Sequence, residues 1–333
     1  MNSLDFGRCA AVAAGVGLAT ALLMVPYAAA QSGWKPERVV EIISGTSGSA
    51  AERGGRLAMT LMQEKNLVPT PVAMVIKVGA GSSLAHNYVA TKTGNAHYLA
   101  LSTMPLTTNV LTGRGALSYR DFTPIAMLFD EYPVVFVRAD SPIKDGRDLL
   151  ERLKQDPASL SNGISSALGS ATHLGPMLAF KTAGVEVNKM RTVVFNSASN
   201  SVTAVLGGHV DFASASLSST AAQVDAGGVR LLGLTAPQRV TGKYAQVPTW
   251  KEQGADAWLS SYRGIIAPKG ITEAQIAYWE DVFTVIDADP RWLQYAETYL
   301  VNRQFRKSRD TRKYLDDLEA QMKPLLADLG MLK

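Results

Sequence analysis

The sequence predicts an α/β fold of two lobes, each a mainly parallel sheet flanked by helices, joined by two crossing segments. Three observations carry that expectation. Short apolar runs alternate with stretches of helical spacing. Glycine and small polar residues cluster directly after the apolar runs. Prolines crowd two passages of the chain, at Pro124, Pro133 and Pro142 and again at Pro237 and Pro248. Strand, small-residue loop and helix in repetition is the pattern of βαβ units.

In the first block, residues 39–44 are a short apolar strand, residues 45–49 a turn cluster, and residues 51–65 a helix with Leu57, Leu61 and Met62 on one side. A second strand is expected at 72–78. The small-residue loop 79–83 follows it, with a helix through Leu84 and Val89. A third strand, 98–101, runs into Ser102 and Thr103. The second block offers a strand at 134–138, a helix at 145–155 and a loop at 165–170 before a helix from about 172 to 183. A strand at 192–195 leads through 196–200 into a helix ending at Gly207-Gly208, glycine being the usual helix stop. A strand at 210–213 then gives way to a serine-rich loop, 214–220, and a last strand spans 231–235. The tail returns to helices, one carrying Ile276, Trp279, Phe283 and Ile286, the other Leu315, Leu318, Met322, Leu325 and Leu329. Crossings are placed near 131–138 and 231–237. Residues 31–132 plus 236–333 then form lobe 1, and 133–235 lobe 2.

Residues 1–30 read as a cleavable secretory signal: Arg8 near the start, an apolar stretch from Ala10 to Val25, Pro26, and Ala28-Ala29-Ala30 before Gln31. The stretch is too short and too rich in Ala and Gly for a good membrane span. The single cysteine, Cys9, lies inside it. The processed chain would have no cysteine, which removes disulfides, thiol nucleophiles and Cys-bound zinc or iron–sulfur clusters. A net charge of +4 is too modest to point to nucleic acid.

Signals of catalysis are weak. The four histidines, His86, His97, His173 and His209, form no metal-binding pair, and no nucleophile elbow or phosphate loop is present. A Ser–His–acid triad built on Ser47 or Ser170 stays open as a lesser alternative. No cofactor is expected. What stands out is a set of uncharged loops at strand–helix junctions: 45–49, 79–83, 102–103, 166–173, 197–201 and 214–219. A helix N-terminus presents unpaired N–H groups and about half a positive charge, so such loops bind carboxylate or phosphate without Lys or Arg. Each loop could equally do no more than cap its own helix. In open α/β sheets they gather at the carboxyl ends of the strands, where ligands bind.

The order of short motifs resembles the Bug family, the substrate-binding receptors of tripartite tricarboxylate transporters. Trp34-Lys35-Pro36-Glu37-Arg38-Val39-Val40 resembles the family opening, and Val78-Gly79-Ala80-Gly81-Ser82 its Pro-Gly-Ala-Gly-Gly loop. Gly169-Ser170-Ala171-Thr172-His173-Leu174 resembles Gly-x-x-x-His-Leu, and Leu206-Gly207-Gly208-His209-Val210-Asp211 resembles Leu-Gly-Gly-x-Val-Asp. Ser260-Ser261-Tyr262-Arg263-Gly264 and Ala267-Pro268-Lys269-Gly270 resemble the late Ser-Ser-Trp-x-Gly and Ala-Pro-x-Gly.

The resemblance implies a two-lobed receptor with a periplasmic-binding-protein type II-like fold. Such a receptor would be monomeric and periplasmic, and would close on a small organic carboxylate and deliver it to membrane transporter subunits; it would not be an enzyme. A sensor for a signalling partner is the alternative. Carried over, the resemblance assigns ligand binding to Thr46, Ser47, Gly48, Ser49, Gly79, Ala80, Gly81 and Ser82, with Ser102, in lobe 1. In lobe 2 it assigns Ser170, Ala171, Thr172, His173, Ser197, Ala198 and Ser216. The first loop departs from the family's Pro-x-Gly-Gly, Glu52 stands where many members carry Asp, Asn196 replaces a usual Lys, and Ala204 a usual Asp. Tyr262 is a candidate to line the pocket or pack the hinge. The basic run Arg303, Arg306, Lys307, Arg309, Arg312, Lys313 reads as a solvated face.

Overall fold

The structure, a computed structural model, describes residues 33–333 apart from residues 48, 166 and 196, with the backbone alone at Ala80. The expected secretory segment 1–30 lies outside the described residues. No described helix is long and apolar enough to cross a membrane.

The first lobe starts with β1 (Val40–Ser44), in which Val40, Ile42, Ile43 and Ser44 are all buried. Burial on both faces is what a central parallel strand requires. α1 (Ala50–Glu64) follows, then β2 (Val72–Ile76), α2 (Ser83–Ala90), β3 (Tyr98–Ser102), α3 (Pro105–Leu111) and β4 (Phe122–Glu131). The chain crosses into a second sheet built from β5 (Pro133–Arg138), β6 (Ser161–Ser165), β7 (Arg191–Phe195), β8 (Phe212–Ser216) and β9 (Val229–Leu234). Its helices are α4 (Gly146–Gln155), α5 (Ala171–Thr182), α6 (Ala198–Leu206) and α7 (Leu217–Asp225). The return brings β10 (Ser261–Pro268), α8 (Glu273–Asp287), α9 (Pro290–Thr298), β11 (Asn302–Lys307) and α10 (Ser308–Asp328).

The sheets run β11-β4-β10-β3-β1-β2 and β7-β6-β8-β5-β9. Each contains a parallel triplet, β2-β1-β3 and β7-β6-β8, while β10, β11, β5 and β9 pair antiparallel. In both triplets the chain winds to one side of the first strand and then to the other. That reversal opens a crevice at the carboxyl end of the central strand. This is a two-lobed fold of the type II-like kind, as the resemblance implied.

Only Tyr132 separates β4 from β5. The return path, residues 235–260, is tied beside it. Thr235 N–H donates to the Pro133 carbonyl (2.9 Å), and the Thr235 hydroxyl reaches both Pro133 O and Leu259 O (each 3.1 Å). Leu259 N–H donates back to Thr235 O. α10 also joins the halves. Leu315, Leu318, Met322, Leu325 and Leu326 share one apolar cluster with Leu174, Met177 and Phe180 of α5 and with Leu106 and Leu111 of α3.

Three features differ from the sequence expectation. The sheets are mixed and not mainly parallel, because the chain segments that cross between the lobes and return add antiparallel strands beside each parallel triplet. Residues 214–216 are the buried end of β8 and not a loop, and α7 starts at Leu217. An Ala/Ser run carries no apolar signal, yet its small side chains fit an inner strand. The basic run at 303–313 is also less free than a solvated face. Arg303 pairs with Asp287, Arg306 lies over the Tyr314 ring, and Arg312 donates to the carbonyls of Tyr119 and Phe122.

Thr235→Val keeps the shape and deletes the hydroxyl tie between the crossings. Urea unfolding should show a loss of about 1–2 kcal/mol, the usual effect of removing a buried hydrogen bond.

Candidate functional site

In lobe 1 the loops after β1 and β2 are pressed together. A Cβ on Gly45 would stand 2.3 Å from the Ser82 Cβ, so only glycine fits there. Lys77 N–H donates to Ser44 O at 2.8 Å, which keeps the two loops side by side as they leave the sheet. The first loop is organised by its own hydroxyls. Thr46 Oγ1 and Ser49 Oγ share a 2.7 Å hydrogen bond, and Ser49 caps α1 by accepting from Glu52 N–H at 3.1 Å. Gly48 lies outside the described residues. Ser47 is exposed, and Thr46 and Ser49 are partly so.

The second loop turns through left-handed backbone at Gly81 (φ 60°) and Ser82 (φ 72°). Ser82 is a non-glycine residue in a region that favours glycine, a local strain of about 1 kcal/mol. Asn109 of α3 holds the turn by donating to Gly81 O at 3.2 Å. Ser82 precedes α2 without a side-chain cap, so the first N–H groups of that helix are not satisfied by it. At the end of β3, Ser102 is buried and shares a 3.2 Å hydrogen bond with Tyr262, which donates to Thr103 O at 2.9 Å. Tyr262 is itself buried. It therefore braces the loop from behind, and the packing alternative for this residue is the one observed.

The second lobe repeats the plan. Ser170 precedes α5 without capping it, and its hydroxyl is shared with Thr172 Oγ1 (2.9 Å). Thr172 Oγ1 donates to Ser165 O at 2.7 Å, and Ser214 Oγ donates to the Thr172 carbonyl. Gly169 turns at φ 84°. Its N–H donates to His173 Nδ1 at 3.1 Å, so His173 accepts as a neutral ring and staples the loop. Ser197 caps α6 through Asn200 N–H (3.2 Å), and Ala198 opens that helix, partly exposed. Ser216 leads into α7 uncapped, its hydroxyl shared with Ser218 and Ser219 at 3.2 and 2.7 Å.

All of these loops leave the carboxyl ends of the parallel strands β1, β2, β3, β6, β7 and β8. The two edges meet at two places. At one, Thr108 Oγ1 donates to Gly169 O at 3.0 Å and Arg114 donates to Leu168 O at 2.6 Å. At the other, Ser218 Oγ donates to Glu131 at 2.8 Å, and Glu131 is ion-paired with Arg263. Sequence reading missed Thr108, Arg114, Glu131 and Ser218, because a contact between lobes leaves no periodic trace. Arg263 was missed too, since it falls on the variable position of the Ser-Ser-Trp-x-Gly segment.

Some charge at the edge is paired and some groups are buried and neutral, while Arg114 is exposed with its guanidinium on the Leu168 carbonyl. Glu52 meets Arg56 at 2.6 Å. Burial, and next the nearby Arg114 charge, pushes His173 down to about 4; burial pushes His86 to about 4 as well. Asp130, on β4 beside Glu131, is pushed up to about 6 by burial, partly opposed by Ser260, Arg306 and Arg263. Among the described residues no cluster of His, Cys, Asp and Glu fits a metal. The Ser170 hydroxyl is engaged by Thr172 and Ser165 and the His173 ring by Gly169, which is helix-entry architecture.

The family model for the tripartite tricarboxylate transporter family receptor, TctC, matches residues 57–331. The chain belongs to that receptor family. It is 25% identical over 324 residues to a UPF0065 protein of Cupriavidus necator, covering 96% of this chain and 97% of the relative. Two solved structures share the fold of this family member. The periplasmic binding protein BugD has a TM-score of 0.74 at 21% identity, over 90% of this chain and 99% of the other. An R. palustris protein crystallised with adipate has a TM-score of 0.75 at 21% identity, over 89% and 99%. The family is one of solute receptors.

The buried histidines set a pH dependence. Each stays neutral in the fold until about pH 4 but takes up a proton near 6.5 when unfolded. The unfolded state thus binds more protons across this window, and stability falls as pH drops from about 6.5 to 4. Asp130, raised from 3.8 to about 6, acts in the opposite sense and offsets part of this. At about 1.4 kcal/mol per unit of separation, urea titrations at pH 7 and pH 4 should show a net loss of a few kcal/mol, and His173→Asn should shrink it.

Proposed function

We propose that the chain is an extracytoplasmic receptor that captures a small organic carboxylate between its lobes and presents the closed form to a tripartite tricarboxylate-type membrane transporter. Residues 31–132 with 236–333 act as one lobe and 133–235 as the other, with residues 1–30 removed on export to the periplasm. One observation carries the reading. α2, α5 and α7 all enter at the facing edges behind serines that do not cap them, Ser82, Ser170 and Ser216. No serine side chain competes for their leading amides, and although the Leu217 amide of α7 donates to Tyr132 O, the others can meet an anion from both lobes, each charge-assisted bond being worth roughly 1.5–3 kcal/mol. The adipate seated in the R. palustris fold supports the ligand class.

The ligand shell is proposed from Thr46, Ser47, Gly48, Ser49, Gly79, Ala80, Gly81 and Ser82 on one side. On the other stand Ser170, Thr172, Ser197, Ala198 and Ser216, with Ser102, Ala171 and His173 behind as supports. A ligand touching both edges favours the closed form because it makes more contacts there.

Thermal-shift screening over mono-, di- and aromatic carboxylates tests the class. A true ligand at a hundredfold excess over its dissociation constant should add about 2.7 kcal/mol to stability. A response to sugars or cations with none to any carboxylate refutes it. Gly45→Ala, which forces the first two loops apart, should weaken that ligand about tenfold or more by calorimetry.

A further inference from the structure

The ion pair between Arg263 and Glu131 sits on the first-lobe side of one of the two places where the lobes touch. In the β10–β4 register Ser261 stands opposite Glu131 and Arg263 opposite Phe129, so Arg263 and Glu131 project from one face of the sheet. That face is the one α1 covers, since a Cβ on Gly54 would stand 2.8 Å from Phe129. Gly264 of the same strand pairs with Ser102, which sets Arg263 level with the loop after β3. Tyr295, whose hydroxyl donates to Ala50 O at the start of α1, feels the charges of Arg53, Glu131 and Arg263 together. The pair is thus within electrostatic reach of the first ligand loop, and through Ser218 it touches the entry to α7.

Most of the donors and acceptors of this pair are already engaged. One terminal nitrogen of Arg263 donates to Ser261 O (2.9 Å), Ser261 Oγ (2.6 Å) and Tyr262 O (2.9 Å); the other holds Glu131. The other Glu131 oxygen accepts from Ser218 at 2.8 Å. Glu131 has 4% and Arg263 16% of its side chain exposed, so water does little to screen either. Only the Arg263 Nε–H is buried without a partner. The guanidinium charge is therefore already matched by Glu131 before any ligand arrives. Glu52, paired with Arg56, adds a further carboxylate at the start of α1.

We propose that Glu131, by consuming Arg263, makes the site selective for ligands with one carboxylate and an uncharged polar remainder, against di- and tricarboxylates. The inference rests on the carboxylate reading above. A first carboxylate is held by helix ends and hydroxyls. A second would have to lose its water beside Glu131, where the charge of Arg263 is already taken up, and a buried carboxylate is tolerated only when paired. An amide or hydroxyl at that end carries no such cost.

Calorimetry at neutral pH on matched pairs tests this: succinate, glutarate and adipate, each against its own monoamide. The wild type should bind the monoamide of the best-fitting length about tenfold more tightly than the diacid. Glu131→Gln, which releases Arg263, should reverse that order, while the double variant Glu131→Gln with Arg263→Gln should not. Diacids binding the wild type as tightly as their monoamides would overturn the selectivity alone and leave the carboxylate reading standing. Binding of neither series would sink both. The wild-type comparison decides the matter whether or not Glu131→Gln folds.

Discussion

Parallel strands that neighbour one another must all exit at the same edge, and a short exit there has to become a helix running back. That constraint, met twice, organises the molecule. β1, β2 and β3 in one sheet and β6, β7 and β8 in the other deliver the starts of their following helices to a common rim. No cationic side chain needs to be placed to create a positive rim, because the peptide dipoles do so wherever helices begin. The chain then needs only residues small enough to let the backbone be approached, and the glycine and serine clusters supply them.

Holding two such rims opposite each other is the work of the crossings and of α10. Thr235 binds the two crossing paths into one unit, and α10 lays a continuous apolar stripe across helices of both lobes. At the rim itself, close fits replace flexibility: Gly45 against Ser82, the His173 ring under Gly169, Tyr262 behind Ser102 and Thr103. The result is a rim rich in hydroxyls and amides, with Glu131 and Glu52 held in ion pairs.

The architecture was readable because the helices and inner strands carry strong periodic signals, as in α1 with Leu61 and Met62 inward or β1 with Val40, Ile42 and Ile43. The candidate loops were readable as composition, since glycine and serine clusters interrupt those signals. The end of β8 was not, because Ala213, Ser214 and Ala215 look like a loop unless one knows they pack inside a sheet. Capping was unreadable as well: Ser49 and Ser197 cap their helices whereas Ser82, Ser170 and Ser216 do not, although all five are the same residue type. Contacts between lobes, such as Glu131 with Ser218, join residues 87 positions apart and follow no local rule.

The single residue between β4 and β5 has a mechanical corollary. Two sheets that share an almost unbroken ribbon have little freedom to slide or to swivel about the ribbon's length. With the return strand laced to it at Thr235, any rotation between them would turn about one line through Tyr132, like a book on its spine. The spine lies next to Glu131, so the spot nearest the pivot would move least, and the chemistry it presents would be the same whether the covers stand open or shut.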